Sequence, residues 1–152
     1  MLFEPVPYDN PCPYKQVPLK MREVRRWLVH KNKVPCDQNG YYVDGTNPAN
    51  HMTFADAVAF MQAGTADGLG FALGPDGTGN YWQGIDLDNV EANGLEELAN
   101  SLPGYVEYST SVLGCHALGY GKPFDTVKLK GIEAYSSKRY FTVTGRAIGG
   151  SL

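Results

Sequence analysis

Glycine and proline interrupt this chain so often that few segments are long enough for a helix of several turns. The 152 residues include 18 Gly and 10 Pro. From Tyr105 to Gly145 the segments "YVEYS", "CHALGY", "GIEAY" and "RYFTVTG" are short, rich in aromatic and β-branched residues, and separated by Gly, Ser and Pro. Such runs are strand candidates joined by tight connections. Upstream, "RRWLVHK" reads as a first strand, with a short helix over "LKMREV" before it. "DQNGYYVDGTNPAN" reads as a loop or hairpin, and "GLGFAL" and "YWQGIDLD" as an antiparallel hairpin closed by "GPDGTGN". The clearest helix is "TFADAVAFMQ": Thr53 is an N-cap, Asp56 lies three residues on, Phe54, Ala57, Val58 and Met61 share a face, and Gly64 stops it. A weaker helix covers "GLEELANSL" before Pro103. Strands outnumber helices and no βαβ alternation is visible. The expectation is an α+β domain with a mostly antiparallel sheet and flanking helices.

At this length one hydrophobic core is expected. No apolar run approaches the roughly 20 residues that span a bilayer. The start "MLFEPVPYDNPCPYK" lacks a signal-peptide layout, and residues 1–18 read as an extended arm. A cytoplasmic, non-membrane protein is the expectation. Cys12, Cys36 and Cys115 form no CxxC pair. A zinc site mixing Cys12, Cys36, His30 and His51 is conceivable, but the spacing fits no common ligand pattern, and plain thiols are the better reading.

Charge is strongly partitioned. All 13 Lys and Arg lie in residues 1–33 or after residue 121, against five acids there, while the other eleven acids occupy the middle. If the flanks meet in space they form a basic groove within an acidic whole. Uneven sampling of an ordinary solvated surface is the plainer alternative.

Within the acidic middle, "YWQGIDLDNV" places Asp86 and Asp88 two residues apart in an apolar strand. Alternation puts them on one face and turns Ile85 and Leu87 to the core. Two adjacent carboxylates repel, and with no base nearby in sequence a metal becomes plausible. Glu133, between Ile132 and Ala134, is a third carboxylate in an apolar strand. It either pairs with Arg139 or a nearby lysine, or joins the aspartates. Three carboxylates suit Mg²⁺ or Mn²⁺, which prefer oxygen ligands. His116 is either a core histidine or a phosphate contact in a glycine-rich setting. "GLGFALGPDGTG" lacks the setting of a dinucleotide fingerprint, and "GYGKP" lacks the Ser or Thr of a P-loop.

The ordered set "GIDLDN", "YSTSVLGCH" and "GIEAYSSKRYFTVTG" resembles the three motifs of the primase-polymerase domain of the archaeo-eukaryotic primase superfamily, of the phage and plasmid replication type. "RRWLVHKNKVP", "TFADAVAFMQ" and "DGLGFALG" resemble its lead-in, so the likeness runs roughly from residue 25 to 145. It implies an RRM-like catalytic core with an N-terminal α/β portion, residues 1–152 forming one catalytic domain at the N-terminal part of a longer replication protein. By the same resemblance, Asp86, Asp88 and Glu133 are catalytic and hold Mg²⁺ or Mn²⁺, while Ser111, Gly114, His116 and Arg139 bind the nucleotide. The implied activity is template-dependent nucleotidyl transfer by a DNA primase or polymerase. Single-stranded or primed DNA and nucleoside triphosphates would be its partners, with a C-terminal helicase or accessory region possible, in a bacterial or archaeal host cell. In that reading a basic groove built from the flanks would hold template phosphates, with Trp27, Tyr41, Tyr42 or Tyr140 available to stack on bases. The family turn reads Ser-Gly-x-Gly-x-His, and here Val112 replaces the first glycine, while Gly114 stands where the broader superfamily has serine. Two alternatives remain open: a nucleic-acid-binding replication module with weak or lost polymerase activity, and a metal-dependent hydrolase or sugar-nucleotide transferase.

Overall fold

The computed structural model describes residues 14–64 and 66–150. In chain order a 3-10 turn, Tyr14–Gln16, precedes α1 (Leu19–Arg22), β1 (Trp27–Lys31), β2 (Val34–Cys36) and α2 (Phe54–Gln62). Then follow β3 (Gly68–Ala72), β4 (Gly74–Pro75), β5 (Tyr81–Leu87), α3 (Glu96–Asn100), β6 (Tyr105–Tyr108) and β7 (Cys115–Gly121). The last four are β8 (Val127–Leu129), β9 (Ile132–Tyr135), β10 (Tyr140–Val143) and β11 (Ala147–Gly150). The class is α+β, every strand pair is antiparallel, and helices are few and short.

There are two sheets where one was expected. One has the order β10-β3-β1-β2; the other runs β11-β6-β7-β5-β9-β8, with β4 beside β5. The expected hairpin between "GLGFAL" and "YWQGIDLD" shrinks to the two-residue β4 against β5. The reason is that both edges of β3 are already paired, to β1 and to β10, so β5 has no edge to join. The tight hairpin lies instead at Asn32–Lys33. Lys31 faces Val34 across it, and both turn residues have positive φ, 49° and 68°, the signature of a type I′ turn. This turn is tied down by bonds from the Asn32 N–H to Asp67 Oδ2 (2.7 Å), from the Lys33 N–H to His30 Nδ1 (3.2 Å), and from the Tyr140 hydroxyl to the Lys33 carbonyl. Of the anticipated N-terminal arm, residues 1–13 lie outside the described residues, while Tyr14 and Val17 are core residues.

The two sheets pack face to face through aromatic side chains. Ring contacts of 4.9 to 5.1 Å run from Phe54 on α2 to Trp27, Phe71, Trp82 and Tyr120. Each fully buried aromatic removes roughly 150–250 Å² from water, worth about 4–6 kcal/mol before ordering entropy. Trp27 is therefore a core residue, its indole N–H donating to the Met21 carbonyl at 2.9 Å, and not a base-stacking platform. Tyr41 and Tyr42 are exposed, at 72% and 67%. Helix α2 forms as expected: Thr53 Oγ1 accepts from the Asp56 N–H, Ala57 and Val58 are buried against the first sheet, and Gly64 takes φ +82° just beyond the helix end.

Close sheet approach depends on Gly84. A Cβ there would stand 2.6 Å from Phe141 Cε2, well inside contact distance. Gly84→Ala is expected to destabilise the fold by about 1–3 kcal/mol through overpacking, read as a lower urea midpoint; an unchanged midpoint would show that Phe141 has room to yield.

Burial lowers the pKa of both His30 and His51 from 6.5, so they are neutral when folded near neutral pH. Neutral His30 accepts the Lys33 N–H on Nδ1, and His51 donates from Nε2 to the Gly45 carbonyl (2.9 Å). Below about pH 6.5 the unfolded chain binds more protons than the folded one, and stability falls as pH drops from 6.5 through the folded values. The urea midpoint should decline between pH 7 and 5, and the double variant His30→Gln, His51→Gln should flatten that decline; an equally steep decline in the variant would assign it elsewhere.

Candidate functional site

Strand β5 lies at the centre of the larger sheet, with β7 on one side and β9 on the other. Its register sets Asp86 opposite His116 on β7 and opposite Glu133 on β9. His116 in turn faces Glu107 on β6, and Glu133 faces Lys128 on β8. Because cross-strand partners project to the same face, five strands contribute one continuous row: Glu107, His116, Asp86, Glu133, Lys128. Asp86 also shares its face with Trp82 and Gly84, the residues packed on the other sheet. This corrects the expected arrangement in part. Leu87 is buried as anticipated, but Ile85 is only half-buried, and the acids occupy the inter-sheet face beyond the point where the aromatic core ends.

A cavity of about 300 Å³ opens between this row and β10. Asp86, Asp88, Ser111, His116, Glu133 and Arg139 all line it, joined by Lys33 from the β1–β2 turn. Six of the seven expected site residues therefore meet. Gly114 does not line this cavity; it lines a neighbouring apolar one. A Cβ on Gly114 would sit 2.2 Å from the Leu87 carbonyl oxygen, which explains why glycine stands where serine was anticipated. Val112, replacing a glycine, keeps the backbone that glycine would have, with φ +66°. The left-handed conformation costs an L-residue roughly 1–2 kcal/mol. The hydroxyls beside it, Ser109 and Ser111, are 3.1 Å apart.

The electrostatics of the row are unbalanced. Burial pushes the Asp86 carboxyl above the usual aspartate range; His116 and Lys33 pull it down, while Asp88 and Glu133 push it further up. His116 Nε2 is 3.5 Å from Asp86 Oδ1, and Nδ1 is 3.6 Å from Glu107 Oε2, so the imidazole lies between two carboxylates, with its buried Nδ1 making no hydrogen bond. Glu133 Oε1 accepts from the Tyr135 hydroxyl at 3.1 Å, and Arg139 donates to that same oxygen of Tyr135 at 3.0 Å while lying over its ring. Arg139 reaches Glu133 through Tyr135 and makes no direct ion pair with it. Asp88 is exposed and held by its backbone, the N–H donating to the Gly131 carbonyl (2.9 Å).

As a donor set, three carboxylates at one cavity suit a hard divalent cation. Among the described residues, no three His, Cys, Asp or Glu side chains stand together as a ready-made chelating group. The fit is thus one of chemistry and placement. Cys36 and Cys115 are buried free thiols, and Cys12 lies outside the described residues.

Glu107 was not anticipated. It is fully buried, and its carboxylate accepts from the N–H groups of Thr144 (2.7 Å) and Gly145 (3.1 Å), with the Thr144 hydroxyl 3.0 Å away. The signal was present in "YVEYS", a carboxylate inside an apolar strand like Glu133 in "GIEAY". Glu107 thereby fastens the β10–β11 connection to the strand that faces His116. Glu107→Ala should cost on the order of 3 kcal/mol in urea unfolding, because two buried N–H groups lose a charged acceptor. Glu107→Gln, which keeps one oxygen, should cost about half as much; equal losses would mean charge alone matters.

No family model matches the chain. It is 29% identical, over 82% of its length, to the DNA primase-polymerase of Nitratiruptor phage NrS-1. It is also 38% identical, over 49% of its length, to the light-independent protochlorophyllide reductase subunit N of Leptolyngbya boryana. The chain spans 20% and 16% of these two relatives. The first match, which covers most of the chain, supports a relationship to primase-polymerases.

Proposed function

We propose that this chain is the catalytic domain of a DNA primase-polymerase that joins nucleotides on a template and releases pyrophosphate, within a longer replication protein of a phage or plasmid. The observation that carries this reading is the meeting of acids and bases from distant parts of the chain in one cavity. Lys33 and Arg139 come from the two basic flanks, Asp86 and Asp88 from the acidic middle. Similarity to a phage primase-polymerase over most of the chain supports it. No helix among the described residues is long and apolar enough to cross a membrane.

In this reading Asp86, Asp88 and Glu133 hold Mg²⁺ or Mn²⁺, which when bound supplies Lewis acidity for activating the primer hydroxyl and neutralising the leaving pyrophosphate. The protein's own part is positioning and charge. His116, Arg139 and Lys33 face the triphosphate, with the Ser111 hydroxyl as a neutral donor. Glu107 stands behind His116, 3.6 Å from its Nδ1, with its own carboxylate fixed by the Thr144 and Gly145 N–H groups. Tyr135 fixes Arg139 by stacking and by accepting its N–H, so the guanidinium enters the cavity at a set angle. No nucleophilic side chain is required. DNA and nucleoside triphosphates are the partners, and a helicase or accessory region beyond this domain belongs to the same proposal.

Asp86→Asn and Asp88→Asn should each lower nucleotide incorporation on a primed template with Mg²⁺ or Mn²⁺ by roughly 100-fold or more, the worth of a few kcal/mol of lost charge stabilisation. Stability of the Asp86→Asn variant should be unchanged or higher, since the fold disfavours charge at that position. Full incorporation by both variants would remove the carboxylates from the reaction.

A further inference from the structure

A second cavity, of about 590 Å³, gathers cations from both flanks without any part of the carboxylate row. Arg25 and Arg26 enter from the segment before β1, and Lys138 from the connection between β9 and β10. That connection ties the two cavities together: Lys138 lines this one, and the next residue, Arg139, lines the acidic one. Arg26 is fixed in place, its Nε donating to the Ala72 carbonyl (2.7 Å) and its Nη1 to the Pro75 carbonyl (3.1 Å). Its Nη2 has no hydrogen-bond partner among the described residues. Arg25 and Lys138 are exposed. One acid, Asp76, shares the lining, but its carboxylate already accepts from the Thr78 N–H (2.9 Å), the Thr78 hydroxyl and the Tyr120 hydroxyl. Three cations therefore face one anion, Asp76, which acts electrostatically on Arg26, so the lining keeps a net positive charge.

We propose that this cavity binds backbone phosphates of the single-stranded DNA template, steering the strand over the Lys138–Arg139 step toward the acidic cavity. The proposal rests on the nucleotidyl-transfer reading for the direction of the strand. Arginine forks and a lysine point charge are the residue types that recognise phosphate. A polynucleotide supplies phosphates at both cavities at once.

The test is the salt dependence of binding of a fluorescent single-stranded oligonucleotide by the full chain, without nucleotides or divalent metal. Each phosphate neutralised on a single strand contributes about 0.7 to the slope of log affinity against log salt. The double variant Arg25→Ala, Lys138→Ala should flatten the slope by about 1.4 and weaken binding roughly tenfold at low salt. Lys122→Ala, an exposed cation outside this cavity, should leave both unchanged. An unaltered slope in the double variant overturns the proposal, and so does a wild-type chain that fails to bind the oligonucleotide. A double variant that loses affinity for inorganic triphosphate yet keeps it for DNA assigns the cavity to free phosphate and overturns the proposal too. Because no step of chemistry enters the measurement, these failures are separate from failure of the transfer reading, which incorporation by the wild-type chain decides.

Discussion

Antiparallel pairing of β5 with β7 and β9 is the constraint on which the rest depends. Seven consecutive residues of β5 find partners on β7, and four of them pair on β9 as well, so Asp86 is held between His116 and Glu133 by backbone hydrogen bonds on both sides. A slip of one residue on either strand would turn its side chain to the opposite face. Such a slip is opposed by the core, since it would drive Trp82 out of its contact with Phe71 and remove Gly84 from beneath Phe141. Aromatic packing at one end of the strand thereby fixes the position of charged groups at the other.

The price of that arrangement is a row of like charges in a half-buried place. The chain moderates it in two ways. His116 stands between Asp86 and Glu107, and Glu107 is satisfied by backbone N–H groups from the segment after β10. On the other flank, Tyr135 connects Glu133 to Arg139. Burial still holds the Asp86 carboxyl above its usual range, and Asp88 and Glu133 add to the shift. Buried groups with perturbed protonation concentrate at functional sites more than at structural ones, which is why this row and not another polar cluster is the centre of the functional reading.

Much of this was legible along the chain. The alternation of "GIDLD" and "GIEAY" marked strands carrying carboxylates, and Thr53 and Gly64 bounded α2. These are local features, set by residues within a few positions of one another. The separation into two sheets was not legible, because which edge of β3 is free depends on β1, Trp27–Lys31, and β10, Tyr140–Val143, which lie far before and far after β3, Gly68–Ala72, in the chain. Trp27 illustrates the same limit. An aromatic residue looks alike whether it fills a core or meets a base, and its contacts with Phe54 and Phe71 decide. β8 and β11 escaped notice because each is an edge strand of three or four residues with little apolar pattern.

By itself the sequence determined the class of fold, the residue types of the candidate site and the partition of charge, since each follows from short-range pattern and composition. Only the tertiary structure decided that Glu107 belongs behind His116, that Gly114 lines a different cavity, and that Lys33 and Arg139 line the same cavity as the aspartates. Those outcomes rest on strand register and sheet stacking, which join residues through space at distances along the chain where local preference carries no information.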